Sequence, residues 1–473
     1  MKPVQRRFQP PWSRPSSLQQ RLRTALARQP VRRNIARAMN GLVDKRRAAF
    51  PDAQTLEALR DQGQAIRDQA LDHLPTLLRE LEANCTANGI QVHWAETPAE
   101  ANAQVLDIVR AAGADAVLKG KSMVSEEIGL NAALAAAGIE ALETDLGEWI
   151  IQLAGEAPAH IVAPAVHLSR QEVAARFRTH FPELEIGEDI ADLTALARGL
   201  LRDRFARMRV GVTGVNFLVA ETGSLCLIEN EGNGRLCTTL PEVHIAITGI
   251  EKVIARLDQL PPLLRLLTRS ATGQPATTYV NLISGPRRTS ERDGPHEVHL
   301  ILLDHGRARM QADPEQRAIL RCIRCGACMN HCPVYTRVGG HGYGTVYPGP
   351  LGAVLEPRLQ GLQLQGELAE ASSLCGACAE VCPVRIPLPQ LIRRVRRDQR
   401  ARQARPGLWS LWSRLQARPL QARRFTRALA GLAPALNVAL RWLPSPWTRS
   451  REPPRLARQT LADLAEQEGF ADD

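Results

Sequence analysis

Hydrophobic positions between residues 52 and 88 recur at helical spacing. The run LEALRDQGQAIRDQALDHLPTLLRELEAN places apolar side chains three and four residues apart, as on one face of an amphipathic helix. Pro75 stands inside this pattern, where its ring would break or kink a helix. The stretch therefore predicts one or two amphipathic helices.

After Gly89 the pattern changes to short β-rich runs that alternate with helical stretches. IQVHWAE, ADAVLKGKS and HIVAPAV are the β-rich runs, and PAEANAQVLDIVRAAG and EEIGLNAALAAAG are helical. Such alternation is typical of a parallel sheet covered on both faces. We interpret residues 89–280 as one α/β domain, in which RVGVTGVNFLVAETGSLCLIENEGNGRL adds hairpins to a mixed sheet.

The remaining segments suggest how the chain is organised. A strand, EVHLILLD, lies between polar loops in residues 287–314, and we expect this segment to link two domains. Residues 1–50 carry several prolines, which suggests an extended, partner-facing arm followed by a helix. The expected domains are given by these bounds: a basic N-terminal arm and helix over 1–50, the α/β domain with its leading helices over 51–300, a cysteine domain over 301–400, and an Arg/Trp-rich helical tail over 401–473.

Composition is that of a soluble globular protein. The 473 residues are 44% hydrophobic and 23% charged, which excludes a disordered or collagen-like chain. The longest apolar stretch, 428–443, is interrupted by Pro434, Asn437 and Arg441, so we expect no membrane span. The N-terminus is basic without an apolar segment behind it, unlike a secretory signal. We therefore expect a cytoplasmic protein.

The net charge of +11 comes from two flanks. Residues 1–50 carry +12 and residues 393–451 carry +14, whereas residues 51–392 carry −11. Basic flanks can bind nucleic acid, an acidic partner or anionic lipid, or can be solvated helices. Because aromatic residues make up 4% of the chain and no nucleic-acid-binding motif is present, we do not expect nucleic acid as the partner.

Cysteine spacing is the most informative feature of the sequence. Seven of the ten cysteines fall between residues 322 and 382. The first group, Cys322, Cys325, Cys328 and Cys332 before Pro333, has the C-x2-C-x2-C-x3-C-P spacing of two-cluster ferredoxins, in which three thiolates share one [4Fe–4S] cluster and the fourth binds the other. Gly326 permits the tight turn on which three sulfurs converge. Zinc is the alternative, since C-x2-C pairs also bind that ion.

The second group has one ligand fewer. Cys375, Cys378 and Cys382 precede Pro383, and a full repeat would have a cysteine where Ser372 stands, next to Ser373. Crossed ligation assigns Cys322, Cys325, Cys328 and Cys382 to cluster 1, and Cys332, Cys375 and Cys378 to cluster 2. The fourth ligand of cluster 2 stays open: a serine oxygen, another cysteine, an exogenous thiol or water, or none, which would give a three-iron cluster.

The other three cysteines lack ligand spacing. Cys226 lies in a predicted strand, where free cysteine usually packs as a small apolar side chain. Cys85 is expected at a helix end and Cys237 in a loop.

The cysteine motifs and the α/β region together resemble a known family. GKSMVSEEIGLNAALAAAGIEALETDLGEWIIQLAGEAPAHIVAPAVHLSR, GVNFLVAETGSLCLIENEGNGRLCTTLPEVHIAITGIEKV, CIRCGACMNHCPVY and ASSLCGACAEVCPVRIPL are similar to the lactate-utilisation iron–sulfur protein B family over roughly residues 30–400. The resemblance implies an α/β LUD domain, with the isomerase/CoA-transferase-like mixed sheet flanked by helices, a small helical dicluster ferredoxin-type domain and a variable tail.

The resemblance also implies the activity and its partners. The family acts with a Cys-rich partner protein and a second LUD-family protein in a lactate utilisation complex that oxidises L-lactate to pyruvate. The chain has no flavin or nicotinamide motif, and an iron–sulfur cluster does not accept hydride, so we expect an electron-transfer component of a complex. The alternatives are an electron subunit of another organic-substrate dehydrogenase, of the glycerol-phosphate or heterodisulfide reductase type, and a redox-sensing ligand-binding protein.

Several polar residues outside the motifs are candidates with two interpretations each. Glu221, in the A-E-T-G run, and His244 are weak catalytic candidates, together with Glu143 and Asp145 near strand ends. A polar group at a strand-to-helix junction predicts either an anion site or a helix cap; it comprises Lys119, Lys121, Ser122, Glu126, Glu127 and Asn131. The tail tryptophans could seat a helix at a membrane surface or pack against protein; they are Trp409, Trp412, Trp442 and Trp447.

Overall fold

A computed structural model describes residues 16–402, 407–442, 452–453 and 455–469 of the chain. A parallel sheet of six strands, in the order β1-β10-β7-β4-β2-β3, forms its centre. The strands are β1 Ile90–Ala95, β2 Ala116–Lys119, β3 Glu140–Glu143, β4 Val210–Gly214, β7 Val243–Gly249 and β10 Glu297–Leu303. A second sheet has the order β8-β5-β6-β9. Its strands are β5 Phe217–Val219, β6 Ser224–Glu229, β8 Val253–Ile254 and β9 Tyr279–Ile283.

Helices account for most of the remaining secondary structure. Those up to the end of the sheet region are α1 Leu18–Ala27, α2 Gln29–Ala49, α3 Ala53–Asp72, α4 Leu74–Ala87, α5 Pro98–Ala111, α6 Met123–Glu127, α7 Leu130–Ala136, α8 Leu146–Ala154, α9 Arg170–His180, α10 Ile190–Arg207, α11 Asn233–Thr239 and α12 Leu260–Thr272. The later ones are α13 Arg307–Ala312, α14 Ala327–Asn330, α15 Tyr335–Tyr343, α16 Gly349–Leu359, α17 Leu362–Gln365, α18 Ala377–Glu380, α19 Leu388–Ala401, α20 Gly407–Gln416, α21 Pro419–Trp442 and α22 Leu461–Gln467. Within the described residues, no helix combines the length and apolar character needed to cross a bilayer.

The predicted pair of amphipathic helices before the sheet is confirmed. Asp52 caps α3 by accepting the N–H of Thr55 at 2.7 Å. Pro75 lies in the first turn of α4, where its missing N–H costs no helical hydrogen bond, so it begins a helix instead of kinking one.

The central sheet has an apolar core on each face, as the strand–helix alternation predicts. Along β10, Ile301 and Leu303 pack in one core with α5 and α7, and Leu300 and Leu302 pack in the other with α4. Successive side chains of a strand point to opposite faces, so a strand buried on both faces is apolar throughout. The predicted α/β fold with its hairpin, β5–β6, is confirmed.

Two predictions about segments are wrong. The strand in 287–314 is β10, which pairs with β1 and β7 inside the sheet and is not a linker, so the expected boundary after residue 300 falls within it. HIVAPAV forms bends and turns instead of a strand, because it folds back on itself with the Ala159 N–H bound to the Pro164 carbonyl.

The predicted N-terminal arm lies only partly within the described residues, and the helix expected after it is present. Residues 1–15 lie outside the described residues, and those that follow form α1 and α2. Leu18, Ile35 and Met39 are buried in the same apolar cluster as the cysteine region. This part of the flank therefore packs one apolar face within the chain.

The residues from Arg400 onward form a separate unit of helices. In it, Arg427 pairs with Asp463 at 2.7 Å, and the rings of Trp412 and Phe425 lie 5.8 Å apart. Trp442 is 83% exposed. The tail is helical, as predicted, whereas Trp447 and the side chain of Trp409 lie outside the described residues.

A buried salt-bridge network crosses from the sheet region to the cysteine region. Arg307 is fully buried, and its guanidinium binds both oxygens of Glu127 at 2.9 Å and Glu251 Oε2 at 2.6 Å. The Tyr347 hydroxyl donates to Glu127 Oε2 at 2.9 Å, and Arg324 pairs with Glu251 Oε1 at 3.2 Å. Two buried carboxylates are thus balanced by two guanidiniums.

We expect Arg307→Met to destabilise the protein by about 3–5 kcal/mol, because it leaves two buried carboxylates without their shared partner. Urea unfolding of the anaerobically purified chain, followed by circular dichroism, measures the change. Arg309→Met is the matched control, since Arg309 is exposed on the same helix, and it should change stability by less than about 0.5 kcal/mol. Equal midpoints for the two variants would contradict the importance of the network.

Candidate metal centre

The first cysteine loop forms the tight turn that its spacing predicts. Cys322 follows a 3-10 helix over Arg317–Arg321, and Cys328 lies in α14. Gly326 has φ 76°, a left-handed conformation that favours glycine, and a Cβ there would meet His160 Cε1 at 3.2 Å. Arg324 also has a positive φ, 61°. These two left-handed residues turn the backbone around the cysteine sulfurs.

Four of the seven motif cysteines line a single cavity. They are Cys322, Cys325, Cys328 and Cys382, and the cavity is otherwise lined mainly by apolar residues, among them Leu351 and Val384. Cys382 belongs to the second motif, so the cavity brings together three sulfurs of one motif and one of the other. This is the grouping that crossed ligation requires.

The other three motif cysteines form a second group. Burial raises the pKa of Cys332 and that of Cys378. The charge of nearby Cys375 raises both pKa values further, and the charge of Cys332 adds to the rise at Cys378. Cys378 is buried, whereas Cys375 is exposed. The second group therefore reaches the surface through Cys375, whereas Cys332 and Cys378 are buried.

The donor set fits an iron–sulfur cluster. Burial raises the pKa of the Cys325 thiol to about 12 and that of Cys382 to about 11, so unbound thiols there stay neutral and soft metal ions would stabilise the thiolates. All ten cysteines are free of disulfides.

Backbone N–H groups point at three of the sulfurs. The N–H of Arg324 donates to Cys322 Sγ at 3.4 Å, that of Tyr335 to Cys332 Sγ at 3.4 Å, and that of Ile386 to Cys382 Sγ at 3.3 Å. Hydrogen bonds of this kind stabilise negative charge on cluster sulfurs and help to set the reduction potential.

Cationic side chains surround the first group. Arg67 and Arg324 interact electrostatically with Cys322, and Arg46 with Cys325 and Cys382. Lys252 lies in the same surroundings; burial first and Arg324 second lower its pKa to about 7. The first group is therefore in a positive environment supplied by the chain itself.

The polar group at the end of β2 is occupied by its own contacts. The Lys119 ammonium is buried and donates to Glu126 and Glu143 at 2.6 Å each, and Asn131 donates to Glu143 at 2.8 Å. Ser122 caps the five-residue helix α6 by accepting the Ser125 N–H at 3.1 Å. Of the two interpretations, the structure shows the helix cap.

Lys121 of the same group and the nearby catalytic candidate Asp145 have structural contacts as well. Lys121 donates to the Val162 carbonyl at 2.6 Å, and Asp145 caps α8 by accepting the Glu148 N–H at 3.1 Å. Burial raises the pKa of Glu148 well above its usual range, despite the nearby Lys121.

The catalytic candidates His244 and Glu221 lie in different environments. His244 is buried in β7 with Nε2 2.8 Å from Thr213 Oγ1, and burial lowers its pKa to about 4. Glu221 is exposed in the β5–β6 turn and accepts the Leu257 N–H at 2.9 Å. No hydrogen bond joins these two side chains among the described contacts.

The three remaining cysteines are buried among the sheet and its helices. Cys226 lies in β6, as predicted. Cys85 lies in α4 and donates to the Gly223 carbonyl at 3.4 Å. Cys237 lies within α11, not in a loop, and its sulfur is 3.4 Å from Thr144 Oγ1. The loop prediction failed because the helix after Gly232 is short and its sequence is mostly polar, so it lacks the apolar spacing that indicates a helix.

Sequence reasoning placed Glu127 in the polar group at the end of β2, and it missed the role of Glu127, Glu251 and Tyr347 in holding the first cysteine loop. Arg324 pairs with Glu251 and lies over the ring of Tyr347, whose hydroxyl donates to Glu127. None of these three partners belongs to a recognisable sequence motif. Sequence reasoning also missed a histidine pair, in which His167 Nε2 lies 2.8 Å from Glu156 Oε2 and its ring contacts His341. Only the burial of charged residues could have indicated these contacts, and burial is not visible in sequence.

Comparison with known proteins agrees with this geometry. The family model of the LUD domain matches residues 78–303, and that of the 4Fe-4S dicluster domain matches residues 318–386. The chain is 45% identical over 362 residues to lactate utilization protein B of Exiguobacterium sp., covering 76% of this chain and 77% of the relative. It is 43% identical over 374 residues to the uncharacterized electron transport protein YkgF of Escherichia coli K12, covering 79% and 78%.

Among solved structures, a DUF162 family protein from Deinococcus radiodurans is similar at 15% identity and a TM-score of 0.28, covering 49% of this chain and 98% of that protein. The close relatives extend across both domains, and the domains follow one another in the expected order. The chain therefore belongs to the lactate utilization protein B family, with a LUD domain followed by a 4Fe-4S dicluster domain.

Proposed function

We propose that the chain is the iron–sulfur electron-transfer subunit of a cytoplasmic complex that oxidises L-lactate to pyruvate. The relatives support both halves of this statement, since one is named for lactate utilisation and another for electron transport. The observation that carries it is the cavity lined by sulfurs of both cysteine motifs.

We assign the seven cysteines to two [4Fe–4S] clusters. Cys322, Cys325, Cys328 and Cys382 hold cluster 1, and Cys332, Cys375 and Cys378 hold cluster 2. A cluster bound at each place would accept and release one electron at a time.

Side chains and backbone groups of this chain provide the surroundings that electron transfer through such clusters requires. Leu351, Val384 and their apolar neighbours exclude water from the first group, and the backbone N–H groups and buried cations stabilise added negative charge there. The exposed Cys375 leaves the second group accessible to a partner. The first group thus suits a cluster inside the protein, and the second group suits a cluster that exchanges electrons with a partner at the surface.

Partners complete the reaction. Oxidation of lactate to pyruvate releases two electrons and two protons, and a hydride acceptor such as a flavin or nicotinamide has to take them before single electrons move on. We assign that step to the Cys-rich partner protein or to the second LUD-family protein. The electron acceptor downstream of this chain is then any one-electron carrier that reaches cluster 2.

Adding L-lactate to the complex, purified anaerobically with its partners from lactate-grown cells, should bleach the iron–sulfur absorbance and produce EPR signals of reduced clusters. Dithionite provides the control for intact clusters. Reduction by dithionite alone would reject lactate as the donor and favour another organic-substrate dehydrogenase or a redox sensor.

Cys328→Ala should change or remove the EPR signal of cluster 1, and Cys378→Ala that of cluster 2, each with loss of at least one iron from the affected cluster. The reason is that each variant removes one thiolate from a single group. Iron analysis and EPR of the purified chain measure the effect, and Cys85→Ala, also at a buried cysteine, should leave both signals unchanged. Zinc in place of iron in the unaltered protein would overturn the assignment.

Arg46→Gln should lower the reduction potential of cluster 1 by an amount on the order of tens of millivolts, because it removes a cation facing Cys325 and Cys382. EPR-monitored redox titration measures both clusters in one sample. Arg47→Gln is the matched control, since the Arg47 side chain is 78% exposed on the same helix. An equal shift in both variants would show that Arg46 acts only through overall charge.

A further inference from the structure

The two cysteine motifs are an internal repeat that differs at its first position. Cys325, Gly326 and Cys328 correspond to Cys375, Gly376 and Cys378, and Cys332 corresponds to Cys382. The first position holds Cys322 in one copy and Ser372 in the other.

The backbone repeats as closely as the sequence does. Arg324 and Leu374, one residue before the second ligand position, have φ angles of 61° and 56°. Gly326 and Gly376 are both left-handed, with φ of 76° and 92°, and each precedes a four-residue helix, α14 or α18. The second motif therefore folds into the same loop as the first, even though it lacks one cysteine.

The side chains at the first position are oriented alike. In the first motif, the N–H of Arg324 donates to Cys322 Sγ at 3.4 Å. In the second, the N–H of Leu374 donates to Ser372 Oγ at 3.2 Å. The serine oxygen thus occupies, relative to its loop, the position that the cysteine sulfur occupies in the other copy.

Neighbouring contacts bring this position close to the second group. The Tyr343 hydroxyl donates to the carbonyl of Ala371 at 3.1 Å and also interacts with the thiol of Cys332. Arg396 holds the next carbonyl, that of Ser372, at 2.6 Å. One aromatic side chain thereby links Cys332 to the residue before Ser372, and an arginine fixes the backbone of the serine.

No cysteine elsewhere in the chain is available for the role. Cys85, Cys226 and Cys237 are fully buried among the sheets and their helices, in α4, β6 and α11. None of them belongs to the repeat, and Ser372 is the side chain at the repeat position of the missing ligand.

We propose that Ser372 is the fourth protein ligand of cluster 2, through Oγ; this rests on the proposed assignment of the cysteines to two clusters. Binding breaks the Oγ–H bond, releases the proton to solvent and forms an oxygen–iron bond, with no change in oxidation state. Alkoxide oxygen is a harder donor than thiolate, so the iron at this corner is bound differently from the other three.

The test compares Ser372→Ala and Ser372→Cys with the matched control Ser373→Ala, at the exposed serine next to it. Each full-length chain is purified and reconstituted anaerobically, and its iron, sulfide and EPR spectra are measured in oxidised and reduced states. The EPR signal of cluster 1 serves as the internal measure of correct folding, since its ligands are unchanged.

We expect Ser372→Ala to lose one iron, from about eight to about seven per chain, and to show the signal of an oxidised three-iron cluster. Ser372→Cys should keep the full iron content and change the EPR spectrum of reduced cluster 2, whereas Ser373→Ala should match the unaltered protein. Loss of cluster 2 alone in Ser372→Ala, with its recovery in Ser372→Cys, would also support ligation.

Two results would overturn the proposal and leave the proposed function intact. One is unchanged iron content and EPR in both Ser372 variants. The other is a three-iron cluster 2 already present in the unaltered chain, which would show that Ser372 holds no iron. Absence of iron–sulfur signals from the unaltered chain would instead reject the proposed function.

Discussion

The position of the first cysteine loop depends on the neutralisation of two buried carboxylates by two guanidiniums. Glu127 and Glu251 come from the sheet region, and Arg307 and Arg324 from the segments that follow it. A buried carboxylate without a partner is costly, so each of these groups fixes the others. Since Arg324 lies between Cys322 and Cys325, the charges of the LUD domain orient the loop that carries the ligands.

Further contacts make the two domains one framework. Arg67 of α3 is buried and donates to the carbonyls of Val253 and Leu320 at 2.8 and 3.2 Å, one in the LUD domain and one just before the cysteine motif. On the other side, α1 and α2 pack into the apolar cluster that contains Cys325, Cys332 and Cys382. A rigid setting of this kind suits electron transfer, because little reorganisation then accompanies each change in charge.

The sequence was most informative where structure is local. The spacing of Cys322, Cys325 and Cys328 determines one short turn, and the apolar alternation determines individual strands. It could not place β10, because the order of strands depends on contacts between residues far apart in the chain. The contact of Glu127 with Arg307 also joins residues far apart in the chain, so the sequence does not predict it. The packing of α1 is not predictable either, because its basic composition resembles that of a solvated helix.

The two cysteine loops share a strained backbone conformation at the residue before their second ligand position. A non-glycine residue in the left-handed region costs roughly 1–2 kcal/mol, yet both Arg324 and Leu374 adopt it. Their surroundings differ: Arg324 is held by Glu251, whereas Leu374 packs against the apolar cluster. In both loops, the N–H of this left-handed residue donates to the side chain at the first position of the motif. The acceptor is the sulfur of Cys322 in the first loop and the oxygen of Ser372 in the second. Both loops therefore contain a strained residue that directs its N–H at the first position of the motif, and in the second loop that position is Ser372, the proposed fourth ligand.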